Sequence, residues 1–155
     1  MDEKKIILLI IDDSEDDRQL YKRLLRKNER IHTILEATTA QEGLEAYKST
    51  NIDCILIDYK LPGTNGINFI EKINRIDHPF VPIIMLTGYG SEEVAVNAMK
   101  AGATDYLSKN DLSAHLLNKT IDHVAASVVP RHLILPFQHS RLRRGWGTSS
   151  LHLLD

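Results

Sequence analysis

The sequence predicts an α/β domain, a doubly wound sheet of five parallel strands with helices on both faces. Three observations carry this expectation. Short aliphatic runs alternate five times with amphipathic helical patterns, and such alternation builds a parallel sheet covered by helices. The first run, Ile6 to Ile11, is apolar at every position rather than at every second one, as a strand buried on both faces requires. Finally, the residues able to bind ions follow the runs: Asp12 and Asp13, Asp58, Thr87 and Lys109 come after strands one, three, four and five. Doubly wound sheets carry their chemistry at that carboxyl edge.

Strand one is Ile6 to Ile11. Ser14 opens the first helix, and Asp17 three residues on resembles a capping box. Leu20, Tyr21, Leu24 and Leu25 give that helix an apolar stripe. Ile34 to Ala37 is a short second strand, and Thr39 with Glu42 repeats the capping spacing before a helix buried through Ala40, Leu44 and Tyr47. Strand three runs from Cys54 to Ile57 and ends at Asp58. In the following YKLPGTNG, Pro62, Gly63, Asn65 and Gly66 are turn residues. Ile67, Ile70 and Ile73 carry the third helix. Val81 to Leu86 forms strand four, ending at Thr87, and Ser91 opens a helix containing Val94, Ala98 and Met99. Thr104 to Leu107 is strand five, Lys109 follows it, and the last helix begins near Asp111 with Leu117, Ile121 and Val124 on one face.

Composition excludes several classes. A length of 155 residues suggests one domain and an appendage. The formal net charge of −2 marks no nucleic-acid or membrane binder. With the single cysteine Cys54, no intrachain disulfide or cysteine metal cluster can form, and Cys54 reads as core. The seven histidines show no ligand spacing. The first apolar run is too short for a signal core or a membrane span, so the expectation is a soluble cytoplasmic protein. Residues 1–126 hold 15 Lys and Arg against 20 Asp and Glu, whereas 127–155 hold 4 against 1. That shift places a boundary near Ala126, with a basic tail, including Arg141, Arg143 and Arg144, that is disordered or foreign to the domain. Folding back as a strand or dimer arm is another reading of its HLILPF stretch, which leaves a homodimer open.

Two adjacent carboxylates at the end of a buried run repel each other and resist desolvation, so water or a cation must offset the cost. Adjacent acids before a helix often only favour its positive end. Here a third carboxylate, Asp58, joins them, and the set suits Mg²⁺, which takes oxygen ligands and keeps waters. Thr87 and Lys109 suit a phosphoryl group, and a carboxylate such as Asp58 can act as nucleophile to form an acyl phosphate.

The chain resembles a receiver domain of the two-component response-regulator family. The resemblance rests on Asp12-Asp13, on Asp58 in LIDYKLPGTNG, on Thr87 and Gly88 in IIMLTGYG, and on Tyr106 and Lys109 in AGATDYLSK. It covers about residues 4–126 and implies the flavodoxin-like strand order 2-1-3-4-5, for which a chemotaxis receiver is a standing example. It implies that Asp58 accepts a phosphoryl group from the phosphohistidine of a sensor histidine kinase or histidine phosphotransfer protein. Asp13 would bind Mg²⁺ directly with Asp12 assisting, and Asp58 and the backbone carbonyl of Lys60 would complete the protein ligands. Lys109 and Thr87 would contact the phosphoryl oxygens. Thr87 and Tyr106 would switch the face formed by helix four, strand five and helix five toward a downstream protein target. Such a receiver catalyses only its own phosphorylation and dephosphorylation. Lys60 and Tyr89 would help set the lifetime of the phosphoryl group.

Three features depart from the family pattern: Asn110 where a proline often follows the lysine, Tyr59 after the phosphoacceptor, and the tail. The resemblance is that of a stand-alone receiver, expected to make no direct nucleic-acid contact and no membrane insertion. Its rivals are the same module within a hybrid kinase or output-domain regulator, a Mg²⁺-dependent aspartate-nucleophile phosphohydrolase, and a flavodoxin-type cofactor binder. The phosphohydrolases commonly carry DxD directly after strand one, whereas this chain has DD there and its nucleophile follows strand three. The cofactor binder needs a phosphate loop rich in Ser, Thr and Gly, and DDSEDD would repel phosphate.

Overall fold

The structure is a computed structural model, and it describes residues 5–88 and 92–126. The elements are β1 (Ile6–Ile11), α1 (Glu15–Leu25), β2 (Ile31–Ala37), α2 (Ala40–Ser49), β3 (Cys54–Asp58), α3 (Gly66–Ile73), β4 (Ile83–Thr87), α4 (Glu92–Ala101), β5 (Asp105–Ser108) and α5 (Ala114–Ala126). The five strands pair in parallel in the order β2-β1-β3-β4-β5. The expected fold class is therefore the observed one. The chain reverses direction across the sheet between β1 and β3, so the loops that follow these strands diverge and open a crevice at the carboxyl edge.

Burial explains why the strands read as continuous runs. Alternate side chains of β1, β3 and β4 enter two separate cores. One holds Leu9, Ile11, Ile55, Ile57, Ile83 and Met85 with Tyr47 of α2, Phe69, Ile70 and Ile73 of α3, and Ala98 of α4. The other holds Ile6, Leu8, Ile10, Leu56, Ile84 and Leu86 with Tyr21 and Leu25 of α1 and Leu117, Ile121 and Val124 of α5. Cys54 lies in this second core, fully buried, and burial pushes its thiol up to about 12. Each fully buried Ile or Leu in such a layer contributes about 1.5–3 kcal/mol through the apolar surface it removes from water.

Several boundaries differ from the expected ones. β2 begins at Ile31, not Ile34; it is an edge strand whose side chains before the buried Ala37 are at most partly covered, and its polar His32 and Thr33 hide the start. β4 begins at Ile83, because Pro82 has no N–H for a ladder. The last helix begins at Ala114 rather than near Asp111. Residues Lys109–Asp111 form a 3₁₀ turn capped by Ser108, and Ser113 Oγ accepts from Leu116 N at 3.0 Å to cap the helix proper. On α4, Ala98 is buried but Met99 and Val96 are about half exposed. No helix among the described residues is long and apolar enough to cross a membrane. Tyr89, Ser91 and the tail 127–155, with its expected boundary, arginines and HLILPF stretch, lie outside the described residues.

Candidate functional site

The N-terminus of α1 positions the acidic pair. Ser14 caps the helix, its hydroxyl accepting from Asp17 N at 3.2 Å. The reciprocal bond of a capping box is not made by Asp17. The Ser14 amide instead donates to Asp12 Oδ1 at 2.9 Å. Asp12 thus serves the helix end while its other oxygen, Oδ2, accepts from Tyr21 Oη at 2.8 Å and Lys109 Nζ at 3.1 Å. Asp12 is fully buried and Asp13 is exposed, so adjacent acids divide into an inner and an outer carboxylate. Arg18 donates to the Asp12 carbonyl at 2.8 Å and to Glu36 Oε1 at 3.0 Å, fastening the loop to the edge strand.

Asp58 ends β3 beside them. Its carboxyl is pushed up to about 6, first by burial and then by the charge of Asp12, against the opposing pull of Lys109. Lys109 Nζ lies 3.1 Å from Asp58 Oδ2 and 2.8 Å from Asp17 Oδ2. Burial works to lower the Lys109 pKa, but the carboxylates of Asp17, Asp12 and Asp58 outweigh it and hold the ammonium above its ordinary value. Tyr21 is likewise raised, by burial and then by Asp12, so its hydroxyl stays a donor.

The loop after Asp58 is built to stay close. Lys60 and Leu61 pair with Thr64 and Asn65 across the Pro62-Gly63 turn, where Gly63 has φ +71°, the sign a type II turn demands of its third residue. Lys60 N approaches Asp58 Oδ1 at 3.4 Å, a long contact, while the Lys60 side chain is exposed. Asn65 caps α3 by accepting from Asn68 N at 2.8 Å. At Gly66 a Cβ would sit 2.9 Å from the Asp58 carbonyl oxygen, so the helix approaches the site through a residue without a side chain.

Thr87 ends β4, 2% exposed, and pairs with Ser108. Tyr106 pairs with Met85 and packs half-buried against the same core, which places it on the neighbouring strand diagonal to Thr87 and on the same face. Asn110, the residue standing where the family often has proline, donates from Nδ2 to the Gly88 carbonyl at 3.2 Å. The Lys109–Asn110 peptide is trans.

The ligand oxygens of Asp12, Asp13 and Asp58 all lie within 4.8 Å of one another. Three carboxylates that close, all oxygen donors with one open to solvent, fit a hard divalent cation of the Mg²⁺ type. Tyr21, which donates to Asp12, and Asp17, which pairs with Lys109, do not announce those partners in the sequence. Tyr21 at helical spacing reads as part of an apolar stripe, and Asp17 reads as a cap; the only sequence signal was that both lie one turn or two after the acidic pair.

Known proteins agree with this geometry. Residues 8–121 match the response regulator receiver domain family, and the chain belongs to it. The regulatory protein VanR of Enterococcus faecium is 39% identical over 102 residues, covering 66% of this chain and 42% of VanR. The transcriptional regulatory protein SrrA of Staphylococcus aureus is 40% identical over 103 residues, covering 66% of this chain and 41% of SrrA. The chain therefore spans about two fifths of the length of these curated relatives. Among solved structures, a response regulator receiver domain protein from Clostridium thermocellum is 32% identical with TM-score 0.69, covering 78% of this chain and 94% of that one. The receiver domain of a LuxO repressor protein from Vibrio parahaemolyticus is 27% identical with TM-score 0.72, covering 79% and 91%. The domain is thus a receiver of two-component response regulators, and the phosphohydrolase and flavodoxin-type alternatives fall away.

Proposed function

We propose that Asp58 takes a phosphoryl group from a phosphohistidine of a histidine kinase or phosphotransfer protein. The observation that carries this reading is the convergence of Asp12, Asp13 and Asp58 within 4.8 Å, with Lys109 Nζ 3.1 Å from Asp58 Oδ2. An Asp58 oxygen attacks phosphorus, the P–N bond breaks, and the imidazole leaves with the electron pair. At neutral pH a carboxyl near 6 is ionised and so nucleophilic. Asp12, Asp13, Asp58 and the Lys60 carbonyl would hold Mg²⁺, which when bound neutralises charge on the transferring group. Lys109, whose Nζ lies 3.1 Å from Asp58 Oδ2, supplies an ammonium and Thr87 a hydroxyl to the phosphoryl oxygens.

Thr87 then draws toward Asp58 and Tyr106 fills the space it leaves, which reshapes the surface of α4, β5 and α5 for a downstream target. The diagonal placement of Tyr106 to Thr87 on one face supports this route. The chain acts on nothing beyond its own phosphoryl group and works in the cytoplasm. A stand-alone receiver and one module of a longer regulator share this chemistry; the intact reading frame separates them. The test is incubation with acetyl phosphate and Mg²⁺. One alkali-labile phosphoryl group should be added to the wild type and none to Asp58→Asn. Full labelling of that variant at another residue would overturn the assignment.

A further inference from the structure

Lys109 has three N–H donors and meets three carboxylates, Asp12 at 3.1 Å, Asp58 at 3.1 Å and Asp17 at 2.8 Å. Two of the three, Asp12 and Asp58, are also members of the cluster suited to a divalent cation. The ammonium and such a cation therefore compete for the same carboxylates and repel each other. Asp17 is the shortest of the three contacts and stands outside the cluster. Its carboxylate is free for this because Asp12 Oδ1, not Asp17, takes the Ser14 amide that a capping box would assign to it. Its backbone is nonetheless fixed in the first turn of α1, where its N–H donates to Ser14 Oγ.

Resting on the receiver chemistry proposed above, we infer that Asp17 is a positioning residue for Lys109. It holds the ammonium at the site while Asp12 and Asp58 turn to the cation. Without Asp17, Lys109 leans wholly on Asp12 and Asp58, so a cation must displace it, and once displaced the lysine has no carboxylate to hold it in place for an incoming phosphoryl group. Asp17 thus couples α1 to the loop after β5 through one ion pair.

Asp16 provides the control for charge alone. It is the preceding residue, exposed, carries the same charge and makes no bond to Lys109. Mg²⁺ would be titrated calorimetrically into the wild type, Asp17→Asn, Asp16→Asn, Lys109→Met and the Asp17→Asn/Lys109→Met double variant. Asp17→Asn should weaken Mg²⁺ binding about fivefold, in line with a partly exposed ion pair, and more than Asp16→Asn does. In the Lys109→Met background the same substitution should do no more than Asp16→Asn. Phosphorylation by acetyl phosphate at saturating Mg²⁺ should slow about tenfold in Asp17→Asn, the scale of one charge-assisted hydrogen bond, and Asp17→Glu should restore part of the rate. If Asp17→Asn matches Asp16→Asn in both measurements, or if its effect survives in the Lys109→Met background, the positioning role is wrong. Failure of the wild type to bind Mg²⁺ or accept phosphate would instead overturn the receiver chemistry itself.

Discussion

Asp58→Asn should make the metal-free protein more stable at neutral pH. Asp58 is 7% exposed and sits beside the fully buried Asp12. Its carboxyl lies near 6 in the fold against an ordinary 3.8, because burial and Asp12 outweigh Lys109. A folded pKa above the unfolded one means that the native state holds the proton more tightly. That contribution is fully present below about pH 4 and is lost as pH rises through 6. At about 1.4 kcal/mol for each pH unit between the two values, ionised Asp58 costs about 3 kcal/mol above pH 6. Asparagine has nearly the same shape and no charge, so the variant escapes the cost. In EDTA at pH 7.5 its melting temperature should exceed the wild type's by about 10 °C. At pH 4.5 the advantage should shrink to about 1 kcal/mol. Mg²⁺ should then raise the wild type far more than the variant, because only the wild type has the full carboxylate cluster. The measurement is thermal and urea unfolding, with and without EDTA, at both pH values. A variant less stable than wild type at pH 7.5 in EDTA would refute the reasoning, since pairing with Lys109 would then outweigh burial.

Three further outcomes are expected. Asp13→Ala should weaken Mg²⁺ binding on the order of tenfold or more, with little loss of stability because Asp13 is exposed; unchanged affinity by calorimetry returns Asp13 to a helix-end role. Gly66→Ala should cost about 1–3 kcal/mol and slow acetyl-phosphate labelling, because Met85 can swing away from the new methyl but the Asp58 carbonyl 2.9 Å from it cannot move without Asp58; wild-type melting and labelling would show that the approach is relaxed. Thr87→Ala should still be phosphorylated, yet show weaker NMR shift changes over residues 92–124 with beryllofluoride and Mg²⁺; the full wild-type pattern there would mean that another route carries the signal.

What the sequence made legible follows from how each part is buried. β1, β3 and β4 are covered on both faces, so nearly every position must be apolar and the runs announce themselves. β2 is an edge strand with partly covered side chains, and its first three residues carry no such pattern. The start of α5 lies beyond the expected one for a local reason: Ser108 and Ser113 each cap a turn, and a short 3₁₀ segment lies between them. The residues of the site stood out because the ends of strands in a parallel sheet must meet at one edge, whatever the loops do.

Pairings within that edge were a different matter, because they depend on which side chain reaches across. Lys109 is 97 residues from Asp12 and 92 from Asp17, and no periodicity connects them. From the sequence, the charge of the acidic pair is offset by water or an outside cation. The fold supplies a first cation of its own in Lys109, and a neutral donor in Tyr21. These two partners lower the cost of burying Asp12 without removing it, since Lys109 shares its one ammonium among Asp12, Asp17 and Asp58, with Asp13 close by. A site fully neutralised by its own side chains would have little affinity left for a divalent ion, whereas one with no internal cation would strain the fold through every buried carboxylate. The three contacts of Lys109 lie between those limits. They hold the cluster together while leaving it short of positive charge, which is the condition under which binding a cation is favourable.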